Sequence, residues 1–198
     1  MGLKGYFIQY KFIIPEEIKH SSYTYQKLFR ALYGYTQNVT KSNGKTYKYH
    51  RKGILSSVPY IRPGKNCVII PPAIFSSLID FFKTGRNPSH KWIVKGNWRA
   101  VYYMNEKDVA LNDIVPAVEE LLDRTYILST AKDHEKIADE IFNLLGLKQK
   151  GEKFDLNYKK ALVEEAQKIA SSEWAAQVLQ KSEKLKKFAQ ALSALKSI

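Results

Sequence analysis

The order of apolar and polar residues divides the chain into a first part of short strands and helices and a second part of helices. Positions 6–14 are dense in aromatic and β-branched residues and predict a strand. The next segment predicts a helix that begins either at once or at the serines 21–22 and ends at Gly34. Two prolines at 71–72 suit the first turn of a second helix, which we expect to end at Gly85.

Three turn signals predict antiparallel hairpins in the first part, and the dipeptide Asn43-Gly44 is the strongest of them. The predicted strand pairs are 37–42 with 45–52 around Asn43-Gly44, 55–61 with 66–70 around the turn 62–65, and 91–95 with 98–104 around Gly96-Asn97.

The second part has helical spacing. Its predicted elements are a helix over 113–123 with Pro116 in the first turn, a short strand over 126–128, a helix capped by Thr130 and Asp133 that ends at Gly146, and a tail over 157–196 that is one helix or two joined near 171–172. Val178, Leu185 and Leu192 recur every seven residues, with Phe188 and Leu195 beside them. This stripe either packs against the first half or forms a dimer or partner seam.

These patterns predict an α+β protein. The N-terminal half is mixed, with antiparallel β-hairpins and two helices, and the C-terminal half is mainly α-helical. We place the boundary so that 1–105 is one region and 106–198 a helical region that braces the first or contacts a partner. No internal repeat is visible in the sequence.

The charge of the chain is unevenly distributed. The 198 residues carry a formal charge of +13, but residues 1–100 hold 17 basic and three acidic residues, a charge of +14, and the remainder carries −1. Between Ile18 and Asn105 the one carboxylate side chain is Asp80. Unopposed like charges repel, so such a surface predicts a polyanionic ligand, and region 1–105 is predicted to bind nucleic acid. The alternative is a basic half that docks on the more acidic second half or on an acidic protein.

The predicted hairpin around Asn43-Gly44 carries the densest set of cations. Side chains alternate between the faces of a strand, and neither face over 45–52 is apolar enough for a core. Its tyrosines suit stacking on bases or donation to phosphates, and a basic two-stranded ribbon fits a major groove. The candidate residues are Lys41, Lys45, Tyr47, Lys48, Tyr49, His50, Arg51 and Lys52.

A second basic cluster follows the second predicted helix. Trp98 is a candidate stacking platform there, with hydrophobic packing as the alternative. The cluster comprises Lys83, Arg86, His90, Lys91, Lys95 and Arg99, which Arg62 and Lys65 on the preceding turn are expected to join.

Sequence motifs for catalysis are missing. The chain has no phosphate-binding glycine loop, no nucleophile elbow and no metal-binding histidine spacing, and its single Cys67 precludes a disulfide. We therefore predict no metal, no cofactor and no catalytic residue. Two alternatives stay open: a metal-independent nuclease or strand-transfer enzyme that uses tyrosine or histidine, and a subunit of a larger ribonucleoprotein or protein assembly.

The partner expected from the sequence is nucleic acid. The β-ribbon favours duplex DNA slightly, whereas the abundant tyrosines favour RNA. The N-terminal residues lack a signal-peptide core, and no run of residues suits a membrane span, so we expect a cytoplasmic protein without a membrane partner. A homodimer or protein contact through the C-terminal helices is the other expected interaction.

Overall fold

The computed structural model describes residues 2–88, 93–128 and 134–197. Within them it has the predicted α+β architecture, with helices, antiparallel sheets and a mainly helical C-terminal half. The chain divides into a basic unit, Met1–Ala110, and a helical unit, Leu111–Ile198. The basic unit holds 18 basic and five acidic residues, a charge of +13, whereas the helical unit holds 14 of each. The whole excess of positive charge therefore belongs to the basic unit.

The basic unit is built around its first strand. In chain order the elements are β1 (Gly2–Ile13), α1 (Tyr23–Tyr33), β2 (Tyr35–Thr40), β3 (Thr46–Arg51), β4 (Cys67–Ile70), α2 (Pro72–Thr84) and β5 (Arg99–Ala110). β1 lies between β4 and β5 and is antiparallel to both. Alternate β1 side chains, Ile8, Tyr10 and Phe12, are buried in one core with Leu28 of α1 and Phe81 of α2. Both helices thus belong to the core on one face of this sheet.

The helix ends follow the predicted signals. Ser22 is the N-cap of α1, and its Oγ accepts a hydrogen bond from the backbone N–H of Tyr25 at 3.3 Å. This confirms the later of the two predicted starts. Helix α1 ends before Gly34 and α2 ends before Gly85, and the φ angles of these two glycines are both positive, at 75° and 71°. Glycine adopts this conformation without the penalty of a Cβ, which explains both helix stops.

The predicted hairpin at Asn43-Gly44 is confirmed as β2 and β3. Gly34 and Gly53, at the two ends of the hairpin, allow the two backbone segments to approach each other closely beside α1. A Cβ on Gly53 would lie 2.2 Å from the backbone nitrogen of Gly34 and 2.5 Å from the carbonyl oxygen of Leu32. Ser56 completes the junction: its Oγ accepts from the N–H of Gly53 at 2.7 Å and donates to the carbonyl of Tyr33 at 3.2 Å. The hairpin therefore emerges from a tightly packed base.

The predicted strand over 55–61 does not form. The N–H groups of Ile54 and Leu55 donate to the carbonyls of Ala31 and Leu32 near the end of α1, and both side chains are fully buried. Of this segment, Ile61 forms an isolated bridge to β4. The segment folds as turns because it satisfies the free carbonyls at the end of a helix.

The predicted hairpin at Gly96-Asn97 is also wrong. Residues 91–92 of its predicted first strand lie outside the described residues, but Ile93 makes an isolated bridge with Arg86, and the N–H of Val94 donates to the carbonyl of Gly85. Strand β5 instead pairs with β1 along twelve residues and extends to Ala110. This long ladder forms hydrogen bonds to far more backbone groups of β5 than a hairpin with residues 93–95 would.

The helical unit differs from the prediction mainly at its boundaries. Its elements are α3 (Leu111–Arg124), β6 (Tyr126–Leu128), β7 (His134–Lys136), α4 (Ile137–Gln149), α5 (Leu156–Ala170), α6 (Glu173–Val178) and α7 (Glu183–Lys196). Strand β6 is confirmed, whereas Thr130 and Asp133 lie outside the described residues. Because α3 begins at Leu111, Pro116 lies in its second turn, and α4 continues through Gly146. The tail breaks at 171–172 and again at 179–182, giving three helices.

The heptad stripe of the tail is buried, and its helices α6 and α7 pack against other helices of the same unit, which is neither of the two predicted arrangements. Helix α7 packs against α4 and α5. Among the described residues, no helix is both long enough and apolar enough to cross a membrane. The stripe residues, all almost fully buried, are Val178, Leu185, Phe188, Leu192 and Leu195.

The crossing at the hairpin base yields a stability prediction. Gly53→Ala should lower the free energy of unfolding by about 2 kcal/mol or more, because the new methyl group meets backbone atoms that cannot rotate away. Chemical denaturation measures this change.

Gly64→Ala is the matched control, since a Cβ at Gly64 meets no atom within 4 Å. We expect a change within about 0.5 kcal/mol there. Equal stability of the two variants would show that the base is not tightly packed.

Candidate nucleic-acid interface

The two faces of the β2–β3 hairpin differ in chemistry. Residues paired across antiparallel strands share a face, and the strand register separates an aromatic face from a polar face. The aromatic face carries Tyr35 opposite Arg51, Gln37 opposite Tyr49 and Val39 opposite Tyr47; the polar face carries Thr36 opposite His50, Asn38 opposite Lys48 and Thr40 opposite Thr46.

Cations of the aromatic face lie over its tyrosine rings. The Nζ of Lys41 is 4.6 Å from the ring centroid of Tyr47, and the guanidinium of Arg51 is 5.6 Å from that of Tyr49. Such interactions contribute about 0.5–1 kcal/mol each at exposed sites. One side of each ring is therefore covered by a cation of the same hairpin, and the face presents ordered positive charge together with its aromatic rings.

The same arrangement continues onto helix α1. The guanidinium of Arg30 lies 4.9 Å from the ring of Tyr35 and 5.3 Å from that of Tyr23, and Lys27 Nζ lies 4.8 Å from the Tyr23 ring. We call the combined set the cation–tyrosine ladder: Tyr23, Lys27, Arg30, Tyr35, Lys41, Tyr47, Tyr49 and Arg51.

Lys27 and Arg30 are absent from the residues that the sequence alone singles out. Their spacing from Tyr23, at four and seven positions, places the three on one side of a helix and could have revealed the helical part of the ladder. Its junction with the hairpin depends on where α1 ends.

Side-chain hydrogen bonds fix the register of the polar face. Thr36 Oγ1 and His50 Nδ1 are 3.0 Å apart, and the hydroxyls of Thr40 and Thr46 are 2.9 Å apart. Between these pairs the side chain of Lys48 is exposed to solvent. Lys45 and Lys52 flank β3 and are exposed as well.

The second basic cluster is partly assembled around a cleft of about 560 Å³. This cleft is lined by Lys83 of α2, by Arg99 of β5 and by Lys95, which precedes β5. Arg86 is exposed and takes part in the bridge to Ile93. His90 and Lys91 lie outside the described residues.

Trp98 lines the same cleft, but its contacts are those of a core residue. Its ring stacks on Phe81 and meets Phe12 edge-on, with centroid distances of 5.8 Å in both cases. The indole N–H donates to the carbonyl of Val94 at 3.0 Å. These contacts match the packing alternative for Trp98 and leave it little freedom to act as a stacking platform.

Arg62 and Lys65 line a different cleft, of about 900 Å³. The Arg62 guanidinium lies 4.6 Å from the ring of Tyr33, whose hydroxyl is 2.7 Å from that of Tyr10. Burial raises the pKa of both phenols, and the nearby Arg62 charge partly opposes the rise. Arg62 and Lys65 therefore do not share a cleft with Lys83 and its neighbours, contrary to the expectation from the sequence.

No group of three or more His, Cys, Asp or Glu side chains within residues 2–88, 93–128 and 134–197 is placed to hold a metal ion. Comparison of the chain with protein-family models, with curated proteins and with solved structures finds no match.

The buried phenol pair makes stability depend on alkaline pH. Because the pKa of Tyr10 is raised in the folded state, the unfolded chain releases this proton near the ordinary value of about 10 while the folded chain keeps it. Stability is therefore full below about pH 10 and falls as the pH rises further, by up to about 1.4 kcal/mol per pH unit for one proton. Tyr10→Phe should make this decline shallower in urea unfolding between about pH 9.5 and 11.

Tyr103→Phe serves as the control, since it removes an exposed hydroxyl. The control should decline as steeply as the unmodified protein. Equal slopes for all three proteins would contradict the assignment of the proton to Tyr10.

Proposed function

We propose that the protein is a non-catalytic nucleic-acid-binding protein that contacts the phosphate backbone through its basic β-hairpin. The cation–tyrosine ladder is the observation that supports this proposal. It aligns four cations, Lys27, Arg30, Lys41 and Arg51, along one helix and one hairpin face. A cation stacked on a ring has restricted motion, so less side-chain entropy is lost when it meets a phosphate.

The sequence around the ladder supports an anionic ligand. Residues 18–79 contain no aspartate or glutamate, so the hairpin and α1 carry no carboxylate of their own to neutralise these cations. Phosphates would supply the missing negative charge and release counterions from the nucleic acid. A protein partner would need a dense acidic surface to achieve the same.

The shape of the hairpin favours duplex DNA as the first ligand to test. Six paired residues in each strand give a ribbon about 20 Å long, at about 3.3 Å per residue. A two-stranded ribbon of this kind fits the major groove of B-DNA, which is about 12 Å wide, whereas the major groove of an RNA duplex is too narrow. Backbone contacts alone do not separate DNA from RNA, so both belong in the experiment.

Charge reversal tests the proposed surface. Arg30→Glu, Lys41→Glu and Arg51→Glu should each weaken binding to a 20-base-pair DNA duplex by about tenfold, because each reverses the charge of a cation of the cation–tyrosine ladder. The slope of log affinity against log salt concentration should become shallower by about 0.9 for every phosphate that the variant no longer neutralises. Fluorescence anisotropy across a salt series measures both quantities, with an RNA duplex as the comparison ligand.

Lys160→Glu is the matched control. It makes the same change in net charge at an exposed position of α5, in the helical unit. Its affinity should stay close to that of the unmodified protein. The proposal fails if all three ladder variants keep full affinity, or if the control loses as much as they do.

A further inference from the structure

The sheet formed by β4, β1 and β5 has a second face, opposite the core. Toward the C-terminal end of β1, its residues pair across the strands as Gln9 with Tyr103, Lys11 with Val101 and Ile13 with Arg99. All of them are exposed. We call this set the open-face patch: Gln9, Lys11, Ile13, Arg99, Val101 and Tyr103.

The open-face patch exposes unusually large apolar groups. Tyr103 is 61% exposed, Val101 57% and Ile13 48%. They sit on a regular strand pair, so they form a flat surface with two cations, Lys11 and Arg99, among them. A contiguous exposed apolar surface of this kind marks a binding site more often than scattered single residues do.

The register keeps carboxylates off this face. Glu106 and Asp108 are paired with the strand positions of Tyr6 and Lys4, which lie on the opposite face. Both carboxylates bind the Nζ of Lys4, at 3.2 and 3.3 Å. The open face of β1 and β5 thus carries basic side chains and no acidic ones, which fits a ligand that combines negative charge with flat apolar rings.

A cleft adjoins the open-face patch. The register of β4 with β1 covers Tyr6 to Gln9, so β1 runs beyond its neighbour on that side. The cleft of about 900 Å³ opens there and brings Lys11 and Tyr103 together with His20, Arg62 and Lys65. None of the described residues that line it is acidic. Its volume lies toward the upper end of the range of about 300–1,000 Å³ found for ligand sites.

We propose that the open-face patch and this cleft bind a single-stranded segment of nucleic acid, with a base stacked on Tyr103 and the backbone phosphates near Lys11, Arg62 and Lys65. The inference rests on the proposed function and narrows its ligand to nucleic acid that includes an unpaired segment. A single strand is required because a base inside a duplex cannot offer its ring face to a protein side chain. Sheet-borne aromatic rings next to a basic groove are the arrangement that such strands use, with little dependence on base sequence.

The test compares three ligands of equal length: a single-stranded 12-mer, an abasic 12-mer with the same phosphates, and a 12-base-pair duplex. Tyr103→Ala should weaken binding of the single strand by about tenfold and leave duplex binding unchanged, because it removes the ring alone. Tyr103→Phe keeps the ring and should bind like the unmodified protein. The abasic strand should bind the unmodified protein about tenfold more weakly, with no further loss in Tyr103→Ala.

Several results would overturn the inference. These are a Tyr103→Ala variant that binds the single strand as the unmodified protein does, an abasic strand that binds as tightly as the normal one, or a dimer that Tyr103→Ala converts to a monomer without change in strand affinity. In each case the proposed function would still hold if the unmodified protein bound the duplex and Arg51→Glu weakened that binding. Failure of the unmodified protein to bind any of the three ligands would instead remove both proposals. Circular dichroism checks that the variants are folded.

Discussion

The antiparallel pairing of β1 with β5 is the interaction on which the basic unit depends. Gly2 pairs with Ala110 and Ile13 with Arg99, so the ladder joins the two ends of the unit and closes the chain between them into one loop. This ladder, together with β4, gives α1 and α2 a surface to pack on. Alternate side chains of β1 and β5 lie on opposite faces of the sheet. The register that buries one set in the core therefore also determines which side chains form the open-face patch.

A second constraint is electrostatic. A unit of 110 residues that carries a charge of +13 must hold its cations close together with few carboxylates nearby. Tyrosine rings offer one solution, since the negative face of the ring attracts a cation and introduces no opposite charge. The guanidinium of Arg30 is close to two such rings, and Lys41 and Arg51 are each close to one. The abundance of tyrosine beside lysine and arginine thus has a structural role before any ligand is considered.

Local features of the fold were predictable from the sequence, and long-range ones were not. The Asn43-Gly44 turn and the helix stop at Gly85 depend on neighbouring residues alone, and both are found where expected. The strand partner of β5 was missed because Gly96-Asn97 is a good local turn signal, whereas the competing ladder with β1 is visible only once the chain has folded. The candidate site follows the same rule: alternation identified the hairpin cations, but Lys27 and Arg30 join them through the packing of α1 beside β2.

In the part of the chain that the structure describes, β5 has a strand neighbour on one side, so its outer edge resembles a template for another chain. Over 105–108 this edge bears four consecutive exposed residues, Asn105, Glu106, Lys107 and Asp108. Glu106 and Asp108 lie on one face of the strand and Lys107 on the other, and these charges disfavour the pairing of a second strand with this edge. Two of the five acidic residues of the basic unit, Glu106 and Asp108, thus protect the sheet against edge-to-edge aggregation, while the open face of β1 and β5 stays free of acidic side chains.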